Sequence, residues 1–198
     1  MNRLRYILLF ALILLCAESH GQYFKKLTMK DGLSSPSVLS IYQDTLGRMW
    51  FGTNEGVNVY DGNQISRYKS YDVINSQHRE RELINGVVSE IVGDSQGNVL
   101  MINSGALIKY DIRKEAFRKI IPTDVGALAT LGEEVWCTIH DSLFRYDPEE
   151  DSLHFYRKLG TATVMCMEKM DEEIWIGTAS GLYVLAGDEL KCVLPDIE

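Results

Sequence analysis

The sequence has little positive charge and few long hydrophobic runs. Its 20 Lys and Arg residues stand against 28 Asp and Glu residues, which gives a formal net charge of −8. A nucleic acid held through its phosphates needs a basic face, and an anionic membrane surface needs a polybasic patch. Neither partner is therefore expected. No segment shows a sustained amphipathic helical period, and this disfavours a helical fold.

Sequence signatures of common enzymes are also absent. The motifs Gly-x-Ser-x-Gly, Gly-x-x-x-x-Gly-Lys-Ser/Thr and His-Glu-x-x-His do not occur. The segment Gly177–Gly181 has glycines near a serine, but the serine is one position away from the place that a nucleophile elbow requires. We therefore predict a protein that is not an enzyme and that uses no cofactor and no metal.

What the sequence does contain is typical of a folded globular protein. Hydrophobic residues make up 45% and charged residues 24% of the 198 positions. These fractions exclude disordered, collagen-like and coiled-coil chains, and the length suffices for a buried core.

The N-terminus has the pattern of a secretory signal peptide. Arg3 and Arg5 precede the apolar run Tyr6–Ala17, and Ser19 and Gly21 are small residues at the cleavage positions before Gln22. We predict a signal peptide over residues 1–21 and an exported, periplasmic chain with no membrane contact after cleavage. An uncleaved anchor is the alternative.

Three cysteines follow the predicted cleavage site, namely Cys137, Cys166 and Cys192. An odd number leaves at least one free thiol in an oxidising compartment. All three lie in apolar, strand-like segments, where a thiol usually acts as a small buried hydrophobe. One disulfide is possible, and the sequence does not choose the pair.

Internal repetition is the strongest signal. Tyr-Asp pairs at Tyr60 and Tyr146 follow ten residues after Trp50 and Trp136, and Tyr110 lies at the same distance from Leu100. Met49–Thr53 recurs as Ile174–Thr178. The repeat anchors are Trp50, Leu100, Trp136, Trp175, Tyr60, Tyr110 and Tyr146.

Each repeat is predicted to form four short strands. In the first these are Val38–Gln43, Arg48–Thr53, Val57–Tyr60 and Gln64–Ser70, separated by turns such as Asp44–Gly47. Four-stranded antiparallel units that recur about every 40 residues are typical of β-propeller blades, and one Trp per unit fits as the plug between neighbouring blades. The predicted fold is all-β, a β-propeller of about four blades.

The predicted organisation ends in an open arc. Tyr23–Met29 is expected to be a lone closing strand, yet the fourth unit already has an outer strand at Glu189–Leu194. We therefore predict an incomplete arc of a larger, seven-blade-like propeller, with one blade face and one strand edge uncovered. The expected divisions are a closing strand at 22–32, blade 1 at 33–72, an insertion loop at 73–83, blade 2 at 84–122, blade 3 at 123–159 and blade 4 at 160–198.

Leu33–Gly62 closely resembles the repeat of two-component regulator propellers. It has the inner V-x-x-I, the D-x-x-G turn, the W-[IF]-G-T block and the closing Tyr-Asp of that family, and Ile174–Leu185 matches nearly as well. The middle units depart from the pattern, since Leu100 replaces Trp, and Ile102 and Ile139 stand where Gly and Thr are usual. The resemblance extends roughly over Tyr23–Leu194.

The resemblance implies an N-terminal fragment of an exported sensor region. Family members usually have two large propellers, a further β domain, a membrane helix and a histidine kinase, and many respond to polysaccharide fragments. The chain has no ATP-binding Asp-x-Gly-x-Gly, no receiver and no DNA-binding helix pair. The expected role is a non-enzymatic sensor module. Its implied partners are an oligo- or polysaccharide ligand and the remaining blades or domains of a longer sensor kinase, or a second copy of the chain.

One irregular stretch, Asp72–Leu83, contains the candidate ligand-binding residues His78, Arg79 and Arg81. Arginines on an insertion between blades suit an acidic sugar or another carboxylate. Alternation of His78, Glu80 and Glu82 also suits a metal, but a solvated charged loop is the favoured interpretation. Two other functions stay open, a glycan-processing enzyme on a propeller and a protein-binding scaffold or adhesin. A truncated product without activity is a further alternative.

Overall fold

Short antiparallel strands and tight turns build nearly all of the described chain. The computed structural model describes Arg3 and residues 24–68, 71–74, 79–82, 86–160 and 163–195, with backbone alone for 71–74 and 79–82. Across these residues there are 18 strands. The predicted signal peptide lies outside the described residues except for Arg3. Among the described residues, no helix is long and apolar enough to cross a membrane.

Sixteen of these strands form four sheets of four, and the other two form a hairpin. The first sheet contains β1 Val38–Gln43, β2 Met49–Thr53, β3 Gly56–Tyr60 and β4 Ile65–Tyr68; the hairpin contains β5 Tyr71–Ile74 and β6 Arg79–Glu82. The second sheet contains β7 Val88–Gly93, β8 Val99–Asn103, β9 Ala106–Asp111 and β10 Ala116–Ile121. The third contains β11 Val125–Leu131, β12 Glu134–Ile139, β13 Ser142–Asp147 and β14 Ser152–Lys158. The fourth contains β15 Val164–Met170, β16 Glu173–Thr178, β17 Gly181–Ala186 and β18 Glu189–Pro195.

Each sheet is an antiparallel meander whose strands follow one another in chain order. The first strands of successive sheets lie side by side, β1 by β7, β7 by β11 and β11 by β15. The sheets are therefore propeller blades with β1, β7, β11 and β15 innermost, and the predicted fold class is confirmed. Among the described strands, β15 makes no comparable contact with β1, so the four blades form an open arc.

Aspartate-led turns set the hairpins within the blades. Gly47 N–H donates to the Asp44 carbonyl at 2.9 Å, and Gly97 N–H donates to the Asp94 carbonyl at 3.0 Å. Gly47 and Gly97 have φ of 79° and 83°, in the left-handed region that glycine adopts at little cost. The turn predicted at Asp44–Gly47 is therefore present and recurs in the second blade.

The predicted closing strand Tyr23–Met29 is wrong over its described part. Residues 24–28 have no strand structure, and a turn follows them. The Asp31 carboxylate accepts hydrogen bonds from the Thr28 N–H at 2.8 Å and from the Thr28 hydroxyl at 2.7 Å. Because the chain folds back on itself at Thr28, its backbone groups are bonded locally instead of to a neighbouring strand.

The insertion predicted as a loop at 73–83 is a β-hairpin over its described residues. In its register Tyr71 pairs with Glu82, and Ile74 pairs with Arg79. Strand β5 lies beside β10, the outer strand of the second blade. The sequence analysis did not predict β6, because its four residues Arg79–Glu82 are all charged and lack the apolar face by which strands are usually recognised.

Three apolar clusters hold the arc together, one between each pair of neighbouring blades. The first joins blades 1 and 2, the second joins blades 2 and 3, and the third joins blades 3 and 4. Their buried centres are Trp50 and Tyr110 in the first, Leu100 and Tyr146 in the second, and Trp136 and Ile176 in the third. The stability of each blade therefore depends on its neighbours.

Candidate functional site

The repeat anchors are packing residues between blades. Trp50 of β2 is fully buried, and its ring lies 4.9 Å from the Tyr110 ring of the next blade, centroid to centroid. Phe117, also from blade 2, meets the same ring edge-on at 6.5 Å. Aromatic pairs at these separations stabilise a contact beyond the area that they bury. The plug role expected of Trp50 is thus present in the structure.

Two of the other anchors, Trp175 and Tyr60, depart from this pattern. Leu100, Trp136 and Tyr146 are buried between blades. Trp175 is only partly buried, because no further blade packs on it among the described residues. Tyr60 is partly buried as well, and its hydroxyl accepts a hydrogen bond from Lys25 Nζ at 2.7 Å.

The turn aspartates Asp44 and Asp94 cap their own turns. Asp44 Oδ1 accepts the Leu46 and Arg48 backbone N–H groups, and Asp44 Oδ2 accepts Trp50 Nε1 at 2.8 Å. Burial by itself would raise the pKa of Asp44, but the hydrogen bonds from Trp50 and Arg48 outweigh it and lower the pKa below its usual value. Asp94 likewise accepts the Gln96 and Asn98 backbone N–H groups.

A charged cluster that the sequence did not reveal links blades 2 and 3. Asp151, in the β13–β14 turn, accepts Lys109 Nζ and the Tyr146 hydroxyl, each at 2.6 Å, through Oδ1. Its Oδ2 accepts Arg118 Nη1 at 2.7 Å. The hydrogen bonds and charges of these partners overcome desolvation and lower the pKa of Asp151. Lys109 and Asp151 are 42 positions apart in sequence, so only the fold brings them together.

The upper face of the arc consists of the connections between successive blades and of the turns that join the second strand of each blade to the third. The β5–β6 hairpin belongs to this face because it connects blade 1 to blade 2. The predicted ligand-binding residues Arg79 and Arg81 lie in β6, whereas His78 lies outside the described residues. Strand β5 contacts β10, so the backbone places the hairpin that carries the arginine pair beside the outer strand of blade 2.

A cavity of about 280 Å³ opens on the upper face between blades 3 and 4. Asp124, Thr138, His140 and Thr163 contribute its polar lining. Thr138 is buried and accepts the Ala127 N–H at 2.9 Å, while Asp124 and His140 are exposed. The cavity therefore combines a fixed hydroxyl with a carboxylate and an imidazole that face solvent.

The sequence analysis did not single out these cavity residues. The structure also does not bring them to Arg79 and Arg81, since β6 belongs to the hairpin beside β10 and the cavity lies between β11 and β15. The repeat spacing could have indicated that His140 lies at the upper face. His140 follows Trp136 by the same interval at which Asn54 follows Trp50, in the turn between the second and third strands of the blade.

The lower face of the arc, formed by the turns at the opposite ends of the strands, is acidic between blades 2 and 3. Two adjoining cavities of about 140 and 330 Å³ share Asp94, Ser95 and Glu133 in their linings. Glu134 and Asp147 line the smaller one. This surface is expected to attract cations and to repel acidic sugars.

The three cysteines are free thiols in the structure. Cys137 is buried, and desolvation raises its pKa to about 12. Cys166 and Cys192 are exposed, which corrects the expectation that all three are buried. Both lie on strands of blade 4, where the described chain has no following blade.

Comparison with known proteins identifies the repeat. The family model described as two component regulator propeller matches residues 32–55. The resemblance to two-component regulator propellers is confirmed. The matched segment of this regulator propeller repeat contains β1, β2 and the Asp44 turn, which are the elements that seat Trp50 between blades.

A curated relative carries a similar segment. Histidine kinase P4 of Formosa agariphila is 41% identical over 61 residues, which is 31% of this chain and 4% of the relative. The chain thus spans a small part of the length of that relative.

Solved structures share the fold over most of the chain. Two extracellular domains of hybrid two-component systems from B. thetaiotaomicron superpose with TM-scores of 0.68 and 0.65, at 22% and 20% identity. These superpositions cover 86% and 84% of this chain but 26% and 22% of those domains. The described blades therefore correspond to about a quarter of each known domain.

Proposed function

We propose that this chain is a ligand-binding propeller module of an exported two-component sensor, and that its upper face binds a glycan fragment. The observation that carries the proposal is the polar cavity between blades 3 and 4, in a propeller that has the regulator repeat. Its volume of about 280 Å³ is close to the lower end of the range for small-molecule sites, roughly 300 Å³. Hydroxyl, carboxylate and imidazole groups suit the hydroxyls of a sugar.

Support for an extracellular role comes from the similar structures, which are extracellular domains of hybrid two-component systems. A ligand changes signalling only if it binds two arrangements of the receptor with different affinities. We propose that the two arrangements differ by a shift of one blade against the other, which changes the shape of a cavity that lies between two blades. The partners that we propose are the remaining blades and domains of a longer sensor, or a second copy of the chain.

Glycan processing is the alternative for the same surface. Glycoside hydrolysis generally uses two carboxyl groups about 5–10 Å apart. The described lining of the cavity supplies one, Asp124. A hydrolase would therefore need its second carboxylate from residues outside this lining, and the proposal favours binding without turnover.

The test is calorimetric titration of the purified chain with oligosaccharides chosen on a glycan array. Asp124→Asn and His140→Ala are expected to weaken binding at least about 10-fold, as for the loss of a hydrogen bond to a charged or strongly polar group. His154→Ala is the matched control, because His154 is an exposed histidine on the lower face. Equal affinity for all three variants would refute the cavity as the site.

A second variant pair tests the arginine hairpin. If Arg79 and Arg81 also contact the ligand, Arg79→Ala with Arg81→Ala weakens binding of acidic oligosaccharides more than that of neutral ones. Unchanged binding would exclude the hairpin from the ligand site.

Release of reducing sugar by the wild-type chain would replace the sensor proposal with the enzyme alternative. Capture of protein without any glycan binding would favour the scaffold.

A further inference from the structure

The β13–β14 hairpin brings a set of metal-ligating side chains together on the lower face. Asp147, Glu150 and His154 each offer one ligand atom, and these atoms lie within 4.8 Å of one another. His154 Nε2 is 3.5 Å from Asp147 Oδ2 and 3.7 Å from Glu150 Oε2. The Ser152 hydroxyl adds a fourth donor atom, 3.3 Å from both His154 Nε2 and Glu150 Oε2.

These separations are close to those of donors that share one metal ion. With Zn–N and Zn–O bonds of about 2.0–2.2 Å, two ligand atoms on a tetrahedral zinc lie roughly 3.4 Å apart. The two contacts of His154 exceed this value by a few tenths of an ångström. Glu150 is exposed, so rotation of its side chain can bring its carboxylate closer both to His154 and to Asp147, whose ligand atom lies within 4.8 Å of that of Glu150.

The fold holds two of the donors before any ion arrives. Asp147 Oδ1 accepts the Glu149 N–H at 2.8 Å and the Glu150 N–H at 3.2 Å, which leaves Oδ2 directed at the imidazole. His154 is held by the β13–β14 ladder, where it pairs with Arg145. The guanidinium of Arg145 is itself paired with Glu134 at 3.0 Å, so its charge is partly compensated.

We propose that Asp147, Glu150 and His154 form a binding site for a first-row transition-metal ion such as zinc. The mixed set of one imidazole and two carboxylates selects this class, since Mg²⁺ and Ca²⁺ prefer oxygen ligands alone. The imidazole and the hydroxyl distinguish the site from an ordinary acidic turn. The surrounding acidic face concentrates cations near it. This site differs from the sequence-based expectation that the chain binds no metal, and it does not depend on the proposed glycan site on the opposite face.

The test is titration of the chelator-treated chain with ZnCl₂, followed by calorimetry. Exposed cysteines also bind zinc, so Cys166 and Cys192 are first replaced by Ser. One zinc per chain is expected. His154→Ala, and separately Asp147→Asn with Glu150→Gln, are expected to weaken binding at least about 10-fold, because even the residues behind metal ligands contribute 10–100-fold.

His140→Ala is the matched control and is expected to leave the affinity unchanged, because His140 is an exposed histidine on the upper face. Circular dichroism without zinc checks that each variant is folded. The proposal is overturned if the wild-type background binds no zinc, or if His154→Ala binds it as tightly as the background does. A loss in His140→Ala alone would locate zinc elsewhere and would also reject the site.

Discussion

Replacing Asp151 by Asn is expected to weaken the junction between blades 2 and 3. The change removes one negative charge but keeps an oxygen that can accept the Lys109 hydrogen bond. Asn also tolerates the backbone at this position, where φ is 53°. The amide NH2 of Asn cannot accept from Arg118, so the substitution removes the charge and the Arg118 hydrogen bond while the turn keeps its shape.

The size of the effect follows from the burial of the two cationic partners. The Lys109 side chain is 7% exposed and that of Arg118 is 66% exposed. Breaking a buried ion pair costs about 3–5 kcal/mol, whereas an exposed pair is worth about 0–1 kcal/mol. Since Asn retains the hydrogen bond to Lys109, we expect the free energy of unfolding to fall by about 2 kcal/mol at pH 7.

The pH dependence provides the sharper check. The pKa of Asp151 is lowered in the folded chain, so its stabilising contribution is present above the unfolded value of about 3.9 and is lost as pH falls through the folded value. Urea unfolding at pH 7 and pH 3 should show the difference between wild type and Asp151→Asn shrinking at the lower pH. Asp171→Asn, at an exposed turn residue with φ of 56°, is the control. The reasoning would be refuted if Asp151→Asn and Asp171→Asn lowered the free energy of unfolding equally. It would also be refuted if the loss caused by Asp151→Asn were the same at pH 7 and pH 3.

Three other expectations rest on single observations. Mass mapping after alkylation at pH 8 should find Cys166 and Cys192 modified in the native chain and Cys137 only in denaturant, because burial raises the pKa of Cys137 to about 12. Burial also raises the pKa of Glu90 to about 7, so wild-type stability should decline as pH rises from 5 to 8, and Glu90→Gln should remove most of that decline in urea unfolding. Ile91→Ala should lower the free energy of unfolding by about 2–4 kcal/mol because Ile91 is buried. Ile41→Ala, at the equivalent but exposed position of blade 1, should lower it by well under about 1 kcal/mol. Similar losses for the two variants would show that the face of blade 1 is covered.

The repeat predicted most of the blade architecture because it recurs at a fixed interval. The strand expected at Val38–Gln43 has those bounds in the structure, since the Asp44 turn fixes where it ends. Trp50 was expected as a plug for the same reason. These features depend on residues that are close in sequence, so residue spacing and turn chemistry suffice to predict them.

What the sequence did not reveal depends on contacts between blades. The pairing of Lys109 with Asp151 and the cavity that Asp124 and His140 share require two blades to be placed side by side. The turn at Thr28 replaced a predicted strand because local side-chain hydrogen bonds compete with strand pairing. The sequence analysis missed the proposed metal site for a different reason. Asp147, Glu150 and His154 come together only because the β13–β14 hairpin folds back, and their spacing matches no metal-binding sequence motif.

Equivalent positions in the four blades show what a neighbouring blade contributes. Ile41, Ile91, Leu128 and Met167 occupy the same place on the innermost strands, each opposite the residue that follows an anchor. Their exposed fractions are 61%, 6%, 5% and 7%. The three low values belong to blades that have a described blade before them, and the high value belongs to the first blade. At the other end of the arc, Trp175 is less buried than Trp50 or Trp136. Because the residue types are similarly apolar, the difference in exposed fraction reflects the absence of a described neighbouring blade and not a difference in sequence. Burial of both end faces by further blades or by a second copy would be driven by the same hydrophobic contacts that hold the described blades together.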